Sequence, residues 1–308
     1  MSIECCVGAL KASRPPTGIA DAKTDRRSPT RLRFVAGWRR TITSDHENSA
    51  SDVHVVGETP RVGVWVARNE SLLRARSSFS VLTDDDWAAL AQLRAETTRN
   101  SAMAAKILLR LGLSQAVGRR IEPRDWRFQR TLLGKPLVST AMPGVNFSVS
   151  HAGSVTVVAI SPSLNLGIDV ELIDQDVTEG TVAGFCDPLE RTVLQKLGPA
   201  QKAREFIRVW TQKEAYTKLL GSGHSTDFSS IRCWNGTVAA GDANLNANAE
   251  SDSSILFESF FVSQGSSLYH VSLAVDAPKS KVGSIDVQLI DVLGPDRIRS
   301  LSSISVVV

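Results

Sequence analysis

Cysteine is scarce in this chain of 308 residues, and the four present, Cys5, Cys6, Cys186 and Cys233, form no recognisable framework. Their spacing fits neither a zinc ribbon nor a redox pair, and adjacent Cys5 and Cys6 are poorly placed for an ordinary disulfide scaffold. Such usage fits a reducing, cytoplasmic compartment. Long apolar runs are missing too, since none approaches the roughly 18 residues of a membrane-spanning helix. The N-terminus lacks the unbroken apolar core of a secretory signal, because Glu4 and Lys11 bracket only a short run. No internal sequence repeat is visible. Basic charge is missing where a nucleic-acid binder would need it. Residues Met1 to Ser44 carry nine Lys or Arg against three acids, so the overall charge of +3 leaves −3 on the remainder. A mildly acidic body is not the basic folded face that a phosphate backbone selects. These absences predict neither a membrane nor a nucleic-acid partner.

What is present is the composition of a globular protein, 42% hydrophobic and 22% charged, long enough for one large domain or two ordinary ones. Arg14 to Arg40 is rich in Arg, Ser, Thr and Pro, which predicts a disordered basic extension over residues 1–59. Organelle transit peptides share that composition. Pro60 ends the extension, and Arg61 to Ala67 alternates as a first strand. Thr83 before Asp84, Asp85 and Asp86 is an N-cap with acids in the first turn. Two helices are expected, about Asp84 to Arg94 and Thr97 to Leu111. Gly134-Lys135-Pro136 is a turn with a cation at its centre. Phe147 to Val149 and Val155 to Ile160 are strands separated by Ser150-His151-Ala152-Gly153.

Leu166 to Ile173 alternates in a more telling way. Side chains two apart on a strand share a face, so Asp169 and Glu171 point together while Ile168, Val170 and Leu172 point to the core. Two such carboxylates either face solvent or share a cation, for which oxygen-only ligands favour Mg²⁺. The stretch Asp174 to Gly184 is polar and is expected to be loop. Asp187-Pro188-Leu189-Glu190 starts a short helix running to about Leu197. Ala203 to Gly223 is amphipathic, with Phe206, Val209, Trp210, Tyr216, Leu219 and Leu220 in one stripe and Gly221 at its stop. Trp210, Glu214 and Lys218 step by four along one face. Alone, Glu214 is either half of a Glu–Lys surface pair or part of a site. Trp210, lying in the stripe, is assigned to the core. Strand patterns return at Ile255 to Val262, Leu268 to Val275 and Val282 to Val292, before an apolar tail.

In order, Gly134-Lys135-Pro136, Ser150-His151, Gly167-Ile168-Asp169-Val170-Glu171 and Trp210-Thr211-Gln212-Lys213-Glu214-Ala215 make a combination of high specificity. The series, spanning about Arg61 to Val275, resembles the 4′-phosphopantetheinyl transferases of the larger, surfactin-synthetase-activating type. The resemblance implies an α+β fold, a pseudo-dimer of two similar α+β halves, each a small sheet packed against helices, with a cofactor cleft between them. The halves would be residues 60–161 and 162–292, with 293–308 a tail. It implies transfer of the phosphopantetheine arm of coenzyme A to a serine of an apo acyl or peptidyl carrier protein, dependent on Mg²⁺ and releasing 3′,5′-ADP. Asp169, Glu171 and Glu214 would be the metal ligands, and Glu214 the general base, with Lys218 the alternate or a charge stabiliser. Lys213 would lie near the phosphates, and Lys135 and His151 would bind the nucleotide end.

Three positions depart from the family pattern. Asn100-Ser101-Ala102-Met103 stands where an arginine is usual, leaving Arg99 or Lys106 to supply that phosphate contact. Ala152 replaces a serine, and Val170 replaces an acid. Two halves in one chain make a monomer the expectation. Two other functions would use the same residues. One is metal-dependent nucleotide phosphohydrolysis, against which the lack of a further His or Asp cluster for a second metal counts. The other is an inactive coenzyme A-binding module of the same fold, motivated by Ser101.

Overall fold

The structure, a computed structural model, describes residues 33–35, 60–139, 145–173, 177–222, 226–234, 237–240, 253–278, 284–294 and 297–307. Two sheets carry the architecture. In the N-terminal half, β2 (Arg61–Arg68), β5 (Asn146–Ala152) and β6 (Val155–Ser161) are covered by α1 (Asn69–Arg74), α2 (Asp84–Ala91) and α3 (Glu96–Ala116). In the C-terminal half, β7 (Asn165–Leu172), β10 (Ser253–Gln264) and β11 (Ser267–Pro278) are covered by α6 (Pro199–Leu220). The apolar faces of the two sheets meet, with Val62, Val64 and Val66 of β2 and Val155, Val157 and Ala159 of β6 in one cluster with Ile168, Val170, Val271 and Leu273. The layers therefore run helix, sheet, sheet, helix. This is the expected α+β pair of similar halves, joined back to back through their sheets.

The local rules explain the boundaries. Thr83 and Asp86 form a reciprocal capping box, Thr83 Oγ1 accepting from the Asp86 amide at 3.2 Å and Asp86 Oδ2 from the Thr83 amide at 3.1 Å. Gly221 closes α6 in the left-handed conformation at φ 75°. The polar stretch expected to be loop contains a helix, α4 (Glu179–Phe185), capped by Thr178 and anchored by buried Val182. Val182 and Phe185 pack into the cluster around Trp210 and Phe228, which folds a segment whose composition is loop-like. A second short helix, α5 (Pro188–Leu194), follows it.

The C-terminal boundary also differs from expectation. β12 (Ser284–Gly294) leaves the C-terminal half and pairs in parallel with β2, and β13 (Arg297–Val307) pairs antiparallel with β12. The N-terminal sheet thus has the order β13-β12-β2-β6-β5, and residues 297–307, expected as a tail, are its edge strand. Within the extension, β1 (Arg33–Val35) pairs antiparallel with β10, opposite Ser263, Val262 and Phe261. The rest of 1–59 lies outside the described residues. Two small ladders complete the chain, β3 (Phe128–Arg130) with β4 (Pro136–Val138) and β8 (Ile231–Trp234) with β9 (Thr237–Ala240). Among the described residues no helix is long and apolar enough to cross a membrane.

Candidate active site

The site is made where α6 lies across β7 and β11. Antiparallel register sets Ala274 beside Gly167, Ser272 beside Asp169 and His270 beside Glu171, so three rows of side chains face the helix. The first row is small for a reason. A Cβ on Gly167 would stand 2.0 Å from the Ala215 carbonyl oxygen and 2.5 Å from the Leu219 amide, so only glycine admits the helix at this height. That close approach brings the second half of α6 down onto the acids.

Lys218 Nζ donates to Asp169 Oδ1 at 2.6 Å and to Ser150 Oγ at 3.0 Å, while Ser150 Oγ donates to the same Asp169 oxygen at 2.7 Å. Ser150 belongs to β5, so the triangle of Ser150, Asp169 and Lys218 joins the two halves. Trp210 Nε1 donates to Glu171 Oε1 at 3.3 Å. Trp210 is in the core, as expected, packed edge-on against Phe185 with ring centroids 4.7 Å apart. It also holds a carboxylate, because the indole carries its one polar atom on the side facing β7.

At this site two buried oxygens, Asp169 Oδ2 and Glu214 Oε1, have no hydrogen-bond partner among the described residues. Burial and the negative charge of Asp169 push the Glu214 carboxyl up to about 7, against a smaller downward pull from Lys218. Burial opposes the charge on Lys218, yet Asp169, Glu214 and Glu171 together outweigh it and raise its pKa. A carboxylate without a donor and near neutrality is an unusual thing to bury, since an unpaired charge in the interior is costly. Asp169, Glu171 and Glu214 are all buried here, on two elements.

The remaining expected residues divide. His151, half-buried at the end of β5, has its pKa lowered by burial and by Lys218, with Asp169 opposing. Lys135 is engaged by the protein itself. Its ammonium donates to the Leu219 carbonyl at 2.7 Å and to Asn165 Oδ1 at 3.0 Å, capping the C-terminus of α6, and burial lowers its pKa to about 8. Lys213 corrects the expectation of a phosphate contact. Its Nζ is spent inside the protein on Glu190 Oε2 at 2.6 Å and on the Phe185 and Phe228 carbonyls at 2.9 Å each. Adjacent helix positions are about 100° apart, so Lys213 and Glu214 face opposite environments. Arg99 is likewise occupied, donating to the Leu93 and Arg94 carbonyls. Lys106 pairs with Asp86. Ser101 Oγ accepts from Asn69.

A cavity of about 380 Å³ adjoins Phe147 and Val149, which alternate with His151 along β5, and its cations are Lys106, Arg110 and Arg130. Arg110 and Arg130 were not singled out by sequence. The signal was available for Arg110, a charge set inside the apolar run Ile107 to Leu113. It is buried, donates to Asp86 Oδ2 at 2.9 Å and lies over the Phe128 ring.

Behind the acids, Thr211 Oγ1 is 2.8 Å from His270 Nδ1 and 2.9 Å from Ser272 Oγ. Burial, with Arg208 nearby, holds the His270 imidazole down at about 3 against an ordinary 6.5. The unfolded chain takes up this proton below pH 6.5 and the folded one does not, so stability is present above that pH and lost as pH falls. His270→Asn is expected to flatten the loss between pH 6.5 and 4 by about 1.4 kcal/mol per pH unit in urea melts. Parallel slopes for the two proteins would refute it.

Two α+β halves thus meet at a carboxylate-rich junction, and the N-terminal half carries a cavity lined by Asp86, Lys106, Arg110 and Arg130. Comparison with known proteins gives the family. The model for the 4′-phosphopantetheinyl transferase superfamily matches residues 165–264, and that for the N-terminal part of 4′-phosphopantetheinyl transferases matches residues 64–163. The chain belongs to the 4′-phosphopantetheinyl transferase superfamily. It is 27% identical over 176 residues to a phosphopantetheinyl transferase of Thraustochytrium, covering 53% of this chain and 59% of that one. It is 30% identical over 147 residues to the 4′-phosphopantetheinyl transferase HetI of Nostoc, covering 47% and 61%. To the human L-aminoadipate-semialdehyde dehydrogenase-phosphopantetheinyl transferase it is 27% identical over 174 residues, covering 52% and 54%. The chain thus spans between 54% and 61% of the length of these relatives.

Proposed function

We propose that the protein transfers the 4′-phosphopantetheine arm of coenzyme A to a serine hydroxyl of an apo acyl or peptidyl carrier protein, with Mg²⁺, releasing 3′,5′-ADP. The observation that carries the reading is the pair of bare, buried oxygens, Asp169 Oδ2 and Glu214 Oε1, contributed by a strand and a helix. Asp169, Glu171 and Glu214 are hard oxygen donors of the kind Mg²⁺ takes. The described residues contain no group of three acids, histidines or cysteines already gathered about one point, and Asp169, Glu171 and Glu214 are the residues that would hold the cation. Such a cation, when bound, supplies charge neutralisation at the pyrophosphate and stabilises charge as the phosphoanhydride breaks.

The chain's own residues divide the rest. The serine oxygen bonds to the phosphorus on the pantetheine side of the pyrophosphate, and the bridging oxygen leaves with 3′,5′-ADP. Glu214, whose carboxylate has a free oxygen, takes the serine proton. Lys218 spends two of its three donors on Asp169 and Ser150 and stabilises negative charge rather than accepting the proton. Arg130 in the cavity wall, with the neighbouring His151, is suited to the nucleotide end, where arginine matches phosphate geometry, while Lys106 and Arg110 are held by Asp86 in the same wall. Lys135 serves by fixing the end of α6. A site drawn from one chain supports a monomer, and a cytoplasmic location fits the free, buried thiols of Cys186 and Cys233.

The test is incubation with coenzyme A, Mg²⁺ and a panel of apo peptidyl, polyketide-type and fatty-acid carrier proteins. Mass spectrometry should show the arm added to at least one. A panel left wholly unmodified, or 3′,5′-ADP released without any acceptor, would overturn the reading.

A further inference from the structure

Most large apolar side chains among the described residues are covered. Among the described residues four are exposed, and two of them are adjacent, Leu132 at 107% and Leu133 at 68% of full exposure. They are the central pair of the β3–β4 turn, positions that ordinarily take polar residues or glycine. The turn is not loose. The Gly134 amide donates to the Thr131 carbonyl at 2.9 Å, the Thr131 amide to the Lys135 carbonyl at 2.9 Å, and the Lys135 amide to Thr131 Oγ1 at 3.0 Å. Arg130 adds a bond to the Gly134 carbonyl at 2.8 Å, with Gly134 at φ 89°. The hairpin therefore presents both leucines to solvent on a built platform.

Its position is also fixed. Lys135 bolts the hairpin to the Leu219 carbonyl, the residue next to Lys218, and Gln129, Arg130 and Pro136 form one wall of the cationic cavity. The hairpin thus stands between that cavity and the end of the helix carrying Glu214. Arg130 on β3 and Arg127 just before it are exposed, beside one exposed acid, Asp125. This is a local basic surplus on a body whose charge outside the N-terminal segment is negative.

We propose that the β3–β4 hairpin is the surface on which the acceptor protein docks, Leu132 and Leu133 entering an apolar contact on an acidic partner whose carboxylates meet the surrounding arginines. The inference rests on the transfer reading. A second copy of this chain is a poorer occupant, because a symmetric contact sets the same arginine-rich patch against itself.

The experiment uses the full chain, Leu132→Ser/Leu133→Ser and, separately, Arg127→Glu, with an apo carrier that the wild type modifies. Both variants should raise KM for the carrier by about tenfold or more. KM for coenzyme A and the melting temperature should stay at wild-type values, and the Arg127→Glu effect should shrink with added salt. An unchanged carrier KM, a changed coenzyme A KM, a wild-type dimer lost in the leucine variant, or loss of binding to anionic lipid vesicles would each overturn the docking assignment. If the wild type modifies no carrier, the transfer reading itself fails, and this inference with it.

Discussion

Asp169→Asn is expected to lower carrier modification by at least about a thousandfold while the protein stays folded. The two oxygens of Asp169 do different things. Oδ1 receives Lys218 and Ser150, and Oδ2 is bare. Asparagine offers one oxygen only. If it faces Lys218, an amide N–H₂ occupies the position of the bare oxygen and repels a cation. If it faces the other way, two donors confront the Lys218 ammonium. Neither orientation satisfies both neighbours. A second measurement separates this from damage to the fold. Mg²⁺ should raise the melting temperature of the wild type, because a ligand that binds only the folded state stabilises it, and should leave the variant unmoved. Wild-type turnover by Asp169→Asn would remove Asp169 from the site.

The largest expected loss of stability lies elsewhere, at the buried pair of Lys213 and Glu190. Their side chains are 1% and 0% exposed, 2.6 Å apart. Glu190 also accepts from the Asp187 amide at 2.8 Å and the Cys233 amide at 2.8 Å, so one pair ties α5, α6, β8 and the turn at Phe228 together. Removing one partner leaves an uncompensated buried charge, and Lys213→Met should cost about 3–5 kcal/mol in chemical denaturation. The double variant with Glu190→Met should recover only part of this. The Phe185 and Phe228 carbonyls and the Asp187 and Cys233 amides would still have lost their partners. A loss under about 1 kcal/mol for Lys213→Met would mean the pair is not the anchor described here.

These two residues also mark what could be read in advance. The alternation of Leu166 to Ile173 correctly separated Asp169 and Glu171 from Ile168 and Val170, because strand period depends on local geometry alone. The stripe and terminal glycine of α6 were legible for the same reason, as was the Thr83 cap. Lys213 was not, because a motif read as a string hides the 100° turn between neighbours on a helix. Trp210 was legible as core and not as a carboxylate holder, since Glu171 is distant in sequence. Ser150 was quoted without a role, because its partners lie on β7 and α6. The crossing of β12 to β2 left no sequence signal either. An apolar strand pattern states that an edge is wanted and is silent on which sheet supplies it.

That crossing has a consequence for how the protein comes into being. The partner that β2 needs at its β12 edge comes only after β11, with the strands and helices of both halves synthesised in between. At about 5–20 residues per second, an emerging chain carries an unfinished N-terminal sheet for on the order of tens of seconds. Domain-by-domain folding on the ribosome is thereby closed to it. A chain cut short before Ser284 would keep its acids, its lysines and its long helices, and would still present the apolar flank of β2 to whatever strand came first.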